Sequence, residues 1–132
     1  MIDLIKIEKE LKVKLPDFFV KFHLEKNNLI KELINDSFEL ILYSDSDIII
    51  TTNKNLFKIP TDKGMFRNKI CIGEDGCGNY SFISTINNDK RVFFLDHDIA
   101  GELFNEEKYE LDWENEKLQK HKSIGDYLKY HI

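Results

Sequence analysis

From residue 2 to residue 12, apolar side chains recur at Leu4, Ile7 and Leu11 among charges. That is the spacing of one helical face, and it predicts a first helix. Val13, Lys14 and Leu15 break the period. Pro16 fits the first position of a second helix, with Asp17 behind it at the positive end of the dipole. Phe18, Phe19 and Phe22 form its apolar face. Asn27 and Asn28 predict its stop, because Asn tolerates the left-handed conformation, and residues 29–34 leave one or two more helical turns open. Residues 38–43 are a compact apolar run and read as a strand. Residues 44–47 (Ser-Asp-Ser-Asp) supply a cap or a turn. The run Ile48-Ile49-Ile50-Thr51-Thr52 pulls two ways. Its β-branched side chains favour a strand. Ser46 or Asp47 as N-cap would start a helix ending near Leu56. Propensity favours the strand.

Residues 58–68 hold Pro60, Gly64 and charges, and read as a loop. A meander follows. Ile70, Cys71 and Ile72 open it, residues 80–85 and 91–95 continue it, and Asn87-Asn88-Asp89-Lys90 turns between the last two strands. Gly73, Gly76 and Gly78 fall within six residues of the first connection, which implies a demanding backbone there. Residues 99–104 suggest one more short strand. Tyr109, Leu111 and Trp113 alternate with Glu110 and Asp112, which fits an edge strand. Ser123 followed by Asp126 resembles a capping box and predicts a terminal helix that packs Ile124, Tyr127 and Leu128.

Length and composition set bounds on this pattern. At 132 residues, 42% hydrophobic and with ten Phe, the chain is long enough for one domain, residues 1–132, with an aromatic core. No apolar run approaches the ~18 residues of a membrane span, and the first residues lack a secretory apolar core. Cys71 and Cys77 make no disulfide framework, so a reduced, cytoplasmic protein with free thiols is expected. The net charge is −5, and only Arg67 and Arg91 among nineteen basic residues are arginine. That balance argues against direct nucleic-acid binding, which needs a basic footprint. It suits a basic protein partner, or simple solubility.

The glycine-rich loop and the strand end that follows carry the candidate chemistry. Glu74 and Asp75 make the loop a poor phosphate cradle and leave it open to a cation or a basic partner. Cys77 and His97 raise a thiol-hydrolase idea, but a nucleophile needs a base within reach and an orienting group, and a small residue in a glycine loop is the ordinary reading. Asp96, His97 and Asp98, helped by Glu74 and Asp75, raise a metal idea; strand-end turn chemistry is the ordinary reading. No catalytic residue, metal ligand or cofactor is assigned. The acids Asp45, Asp47, Glu74, Asp75, Asp96 and Asp98 matter together: if the loop and the end of the third strand share one rim, they form an acidic patch for a basic partner. Tyr43, Tyr80 and Trp113 are anchor candidates, though each singly is better placed in a core.

Four stretches, taken in order, resemble one family. Leu15-Pro16-Asp17-Phe18-Phe19 is similar to the Leu-Pro-x-aromatic start of helix two in the SUKH superfamily, Smi/Knr type. Ile72-Gly73-Glu74-Asp75-Gly76-Cys77-Gly78-Asn79-Tyr80 resembles its glycine–acid–glycine–Asn/Asp–aromatic signature. Val92-Phe93-Phe94-Leu95-Asp96-His97-Asp98 is similar to its strand ending in Asp-His, and Ser123-Ile124-Gly125-Asp126-Tyr127-Leu128 to its terminal helix. Two positions depart: Asn27-Asn28 stand where Asn-Gly is usual, and Gly125 where a helix former is common, a cost of roughly 1 kcal/mol. The resemblance implies an α+β fold: a mostly antiparallel sheet with a central meander, flanked by N-terminal helices and a short C-terminal helix. It also implies a helix over residues 47–56, against propensity. Bacterial members are widely immunity proteins that bind a cognate polymorphic toxin, often a nuclease, in the producing cell; fungal members are regulators of cell-wall synthesis. The resemblance therefore implies a non-catalytic binding protein whose partner is a toxin domain; the charge balance makes that partner basic and argues against nucleic acid, the hydropathy argues against a membrane, and an apolar edge strand leaves the chain a monomer or weak homodimer. A regulatory adaptor with no toxin is the alternative.

Overall fold

The computed structural model describes residues 2–25, 41–58 and 60–131. The expected stop at Asn27-Asn28, the turns over 29–34 and the first half of the 38–43 strand lie outside the described residues.

Helix α1 (Leu4–Leu11) starts where the Asp3 carboxylate accepts the Lys6 N–H at 3.0 Å and ends at Lys12 with φ 53°. Ile7 and Leu11 are its buried face. Helix α2 (Asp17–Leu24) follows. Pro16 stands one residue earlier than the sequence suggested: with φ −65° and ψ 146° it is the extended cap, not the first helical residue. Phe19 and His23, one turn apart, are buried, whereas Phe18 and Phe22 are half-buried at the flanks. Helix α3 (Ser46–Thr52) runs on into a π-helical turn over Asn53–Phe57. The family resemblance is therefore right about this segment and propensity is wrong. The cap is Asp45, whose carboxylate accepts the Asp47 N–H at 2.8 Å, one or two residues ahead of the expected Ser46 or Asp47. Burial of Ile49 and Ile50, with α3 packed against α1 and the sheet, overrides the β preference of the isoleucines.

The main sheet runs β1 (Lys69–Glu74), β2 (Tyr80–Ser84), β3 (Val92–Leu95) and β6 (Gln119–His121), adjacent in that order and antiparallel. Pairing of β1 with β2 slips by one residue between Cys71 and Gly73, so Ile72 is a bulge. Its carbonyl accepts the Tyr43 N–H at 2.8 Å, on the side away from β2. Next to it, the Asn53 amide receives the Cys71 N–H at 2.8 Å and donates to the Cys71 carbonyl at 3.0 Å. Asn53 is fully buried, and its side chain stands in for a strand at that edge.

The expected strand over 99–104 is a helical turn, α4 (Ala100–Leu103), started by Ile99 and Ala100 N–H groups on the Asp96 carbonyl. Only Phe104–Asn105 is extended: as β4 it pairs with β5 (Glu110–Leu111). Leu111 and Trp113 point inward as expected, but Tyr109, with φ 52°, is exposed and outside the alternation. The terminal helix α5 (Ile124–Tyr130) is capped by Ser123, whose hydroxyl accepts the Asp126 N–H at 3.1 Å. Its Tyr127 hydroxyl receives Ser81 Oγ and donates to the Ile41 carbonyl, both at 2.7 Å, joining segments distant in sequence. Phe82, Phe93 and Trp113 are the aromatic heart of the core, in edge-to-face contact at 5.2–5.7 Å.

Candidate functional site: an acidic rim at one end of the sheet

Antiparallel register brings the end of β1, the start of β2 and the end of β3 to one side: Glu74 pairs with Tyr80, and Tyr80 with Leu95. The glycine-rich loop and the Asp96–Asp98 turn therefore share a rim. Gly76 and Gly78 adopt φ values of 80° and 89°, which the loop needs from glycine. Gly73 does not; it lies within β1, and the loop begins only after Glu74.

Below that rim lies a chain of hydrogen bonds. The Asp75 carboxylate accepts the Cys77 N–H at 2.8 Å, the Asn79 N–H at 3.3 Å and the Asn79 side-chain amide at 2.7 Å. Partial desolvation pushes the Asp75 carboxyl upward, but these donors together outweigh it and hold the group below its ordinary range. Across the loop, Asn79 Oδ1 accepts the His97 backbone N–H at 2.9 Å and faces His97 Nδ1 at 2.6 Å. Because that amide oxygen is an acceptor, Nδ1 carries the proton. His97 Nε2 then faces Asp98 Oδ1 at 3.2 Å. Asp96 turns inward on its own turn, accepting the Asp98 N–H at 2.8 Å.

Glu74 accepts the Tyr43 hydroxyl at 2.5 Å. Burial, with Cys71 and Glu74 adding to it, pushes the Tyr43 phenol far above its ordinary value, so it stays a donor. Asp45 and Asp47 belong to a neighbouring cluster rather than to this chain. Asp45 caps α3, and Asp47 pairs with Lys6 of α1 at 2.8 Å. Of the six acids singled out in the sequence, the structure thus joins Asp75 to Asp98 through Asn79 and His97, ties Asp96 to the Asp98 N–H, sets Glu74 beside them against Tyr43, and keeps Asp45 and Asp47 at the start of α3. The anchor candidates Tyr43 and Trp113 are buried, and Tyr80 is half-buried against Phe57.

Both catalytic ideas meet the same geometry. His97 spends its ring on Asn79 and Asp98, while Cys77 is exposed in the loop. Ligand atoms of Asp96, His97 and Asp98 lie within 4.8 Å of one another. Glu74 and Asp75, which were to complete a metal set, are engaged elsewhere. Both arginines serve the scaffold: Arg67 donates to the Leu111 carbonyl and pairs with Glu110, and Arg91 bridges Asp89 and Glu114.

The model of the SMI1 / KNR4 family (SUKH-1) matches residues 2–129. The chain belongs to this family. No curated protein and no solved structure matches it. In this SUKH-1 chain the glycine-rich signature and the Asp-His strand end are two halves of one connection, since Asn79 from the first holds His97 from the second. Sequence reasoning saw both stretches but gave Asn79 no role; its place, directly after a glycine and before an inward aromatic, was the available signal. SUKH-1 membership fits a protein of the immunity type, acting by binding. Among the described residues, no helix is long and apolar enough to cross a membrane.

Proposed function

We propose that this SUKH-1 chain is an immunity protein that binds a cognate polymorphic toxin domain and neutralises it without catalysis, in the cytoplasm of the producing cell. Family membership over residues 2–129 is the observation that carries this reading. The acidic rim supports a basic partner. Glu74, Asp75, Asp96 and Asp98 gather at one end of the sheet, Asp45 and Asp47 extend the acid set at the start of α3, and the overall charge is −5. Such a field steers a basic nuclease domain into encounter and fixes its orientation. Asp98 on the rim and Asp47 at the start of α3 are exposed, with side chains 79% and 71% accessible, and are the first choice for partner contacts.

Co-expression with the toxin encoded beside this gene tests the proposal. Cells carrying the chain should survive toxin induction and cells lacking it should die; death in both cultures refutes the immunity reading for that pair. Asp47→Lys and Asp98→Lys together should slow association about tenfold or more at low salt. An unchanged association rate would remove both the rim and the start of α3 from the interface while leaving the immunity reading standing.

A further inference from the structure

The acidic rim has a counterpart of opposite sign. A groove of about 880 Å³ opens where the π-helical turn, the 61–66 loop and Tyr109 meet. Its floor is Phe57 and Phe66, whose rings pack edge-on at 4.7 Å and continue into Phe82 of the core. Around that floor stand Lys54, Lys58, Lys63, Leu56, Met65 and Tyr109. Leu56 is 57% exposed and Tyr109 63%, so the groove carries apolar surface open to solvent. In a chain with 24 acidic and 19 basic residues, three lysines and no carboxylate are found among the described residues that line it. Lys54 is held by Glu10 at 2.7 Å. Lys58 and Lys63 have no ion-pair partner among the described residues.

The backbone here is also unusual. Asn53–Phe57 is π-helical, a geometry that recurs at functional sites. Lys58, which ends it, has φ 65° and ψ 169°, a region that only glycine occupies without strain. A lysine held in a conformation meant for glycine points to a side chain retained for what it does. The 61–66 loop leads into the start of β1 and the rim's acids follow its other end, while Phe57 of the groove floor meets Tyr80, at the start of β2, at 5.1 Å.

We infer that this groove is a second recognition surface, one that takes a short acidic segment of a protein partner with apolar side chains between its carboxylates. Lys58 and Lys63 would meet the carboxylates; Leu56, Met65 and Tyr109 would receive the apolar side chains. Met and aromatic walls adapt to such segments. A nucleic acid fits less well. No arginine lines the groove, and the net charge of −5 opposes a polyphosphate. The inference is independent of the immunity reading.

Fluorescence anisotropy of a labelled peptide alternating glutamate with leucine, titrated with the full chain, tests it. A glutamine-for-glutamate peptide and a labelled oligouridylate of similar length are the comparisons. Saturable binding is expected for the glutamate peptide alone, weakening steeply with salt. Lys58→Glu and Lys63→Glu should each weaken it roughly fivefold, and Asp98→Asn should leave it unchanged. Lys58→Gly separates function from folding: it should raise the thermal midpoint while lowering affinity. Absence of saturable binding, equal binding of the glutamine peptide, tighter binding of the oligouridylate, or affinity indifferent to Lys58 and Lys63 would each overturn the inference.

Discussion

Removing the amide of Asn53 tests how the helical layer is joined to the sheet. A strand residue directs its N–H and C=O to the same side, and at Cys71 both groups go to Asn53 rather than to β2. In Asn53→Ala both lose their partner in a place where Asn53 and Cys71 are each 0% exposed. A buried, unsatisfied main-chain group costs about 1–3 kcal/mol, so the pair costs about 2–6 kcal/mol. At about 2.1 cal/mol/K per residue, 132 residues unfold with about 0.28 kcal/mol/K, and a loss of about 3 kcal/mol lowers the midpoint by about 11 °C. Urea and thermal unfolding measure the loss, and hydrogen exchange at the Cys71 amide locates it. Asn53→Asp keeps the acceptor for the Cys71 N–H but buries a carboxylate against its carbonyl. Burial raises the carboxyl pKa in the folded state, so the variant should be least stable near neutrality and regain stability as the pH falls toward about 4. A loss below about 1 kcal/mol in Asn53→Ala, with the Cys71 amide still protected, would refute this account.

Tyr127→Phe strips the hydroxyl that Ser81 and the Ile41 carbonyl share; Ser81 is fully buried, and a loss of about 1–3 kcal/mol in urea unfolding is expected. Burial lowers His121 and His131, with each partly offset by a carboxylate, Asp126 for the first and Asp75 for the second; His121 further lowers its neighbour. The unfolded chain therefore binds protons that the folded one resists, so stability is full above about pH 6.5 and declines as pH falls toward the folded values. A urea midpoint that stays flat between about pH 7.5 and about pH 5 would contradict this. Cys77 is exposed and should react with a thiol reagent at once, whereas Cys71, buried and pushed up to about 12, should react only on unfolding; two equally fast thiols would be the contrary result.

The meander and the capped terminal helix were legible because their signals are local. Short apolar, β-branched and aromatic runs bounded by glycine and asparagine turns marked β1 to β3, and Ser123 with Asp126 marked the start of α5. Failures occur where distant contacts decide. The isoleucines of α3 favour a strand in isolation, and only packing on α1 and β1 makes them helical. β6 (Gln119–His121) is polar throughout and half-buried at a sheet edge, so no apolar rhythm reveals it. Residues 99–104 looked extended because the Asp96 carbonyl that nucleates α4 leaves no compositional trace. At the rim, the sequence suggested which acids could gather, but not that Asn79 would wire Asp75 to His97, since that bond depends on the register of three strands. The lysine groove was invisible for the same reason: Lys54, Lys58 and Lys63 are ordinary solvent residues until the π-helical turn and the loop face one another.

The Asn53 amide bears on solubility as well as on folding. Open main-chain groups at a sheet margin are a template on which a second copy can add its own strand. At the margin of β1, Cys71 is occupied by Asn53 and the Ile72 carbonyl by Tyr43, while the far margin is three residues of Gln, Lys and His. A chain with 23 buried hydrophobic residues among those described, and ten phenylalanines in all, is thereby kept from self-templating by one side-chain amide and one backbone N–H. Variants that loosen α3 expose that margin before they expose the core, so their failure should be seen first as aggregation that increases with concentration, and only later as reversible unfolding.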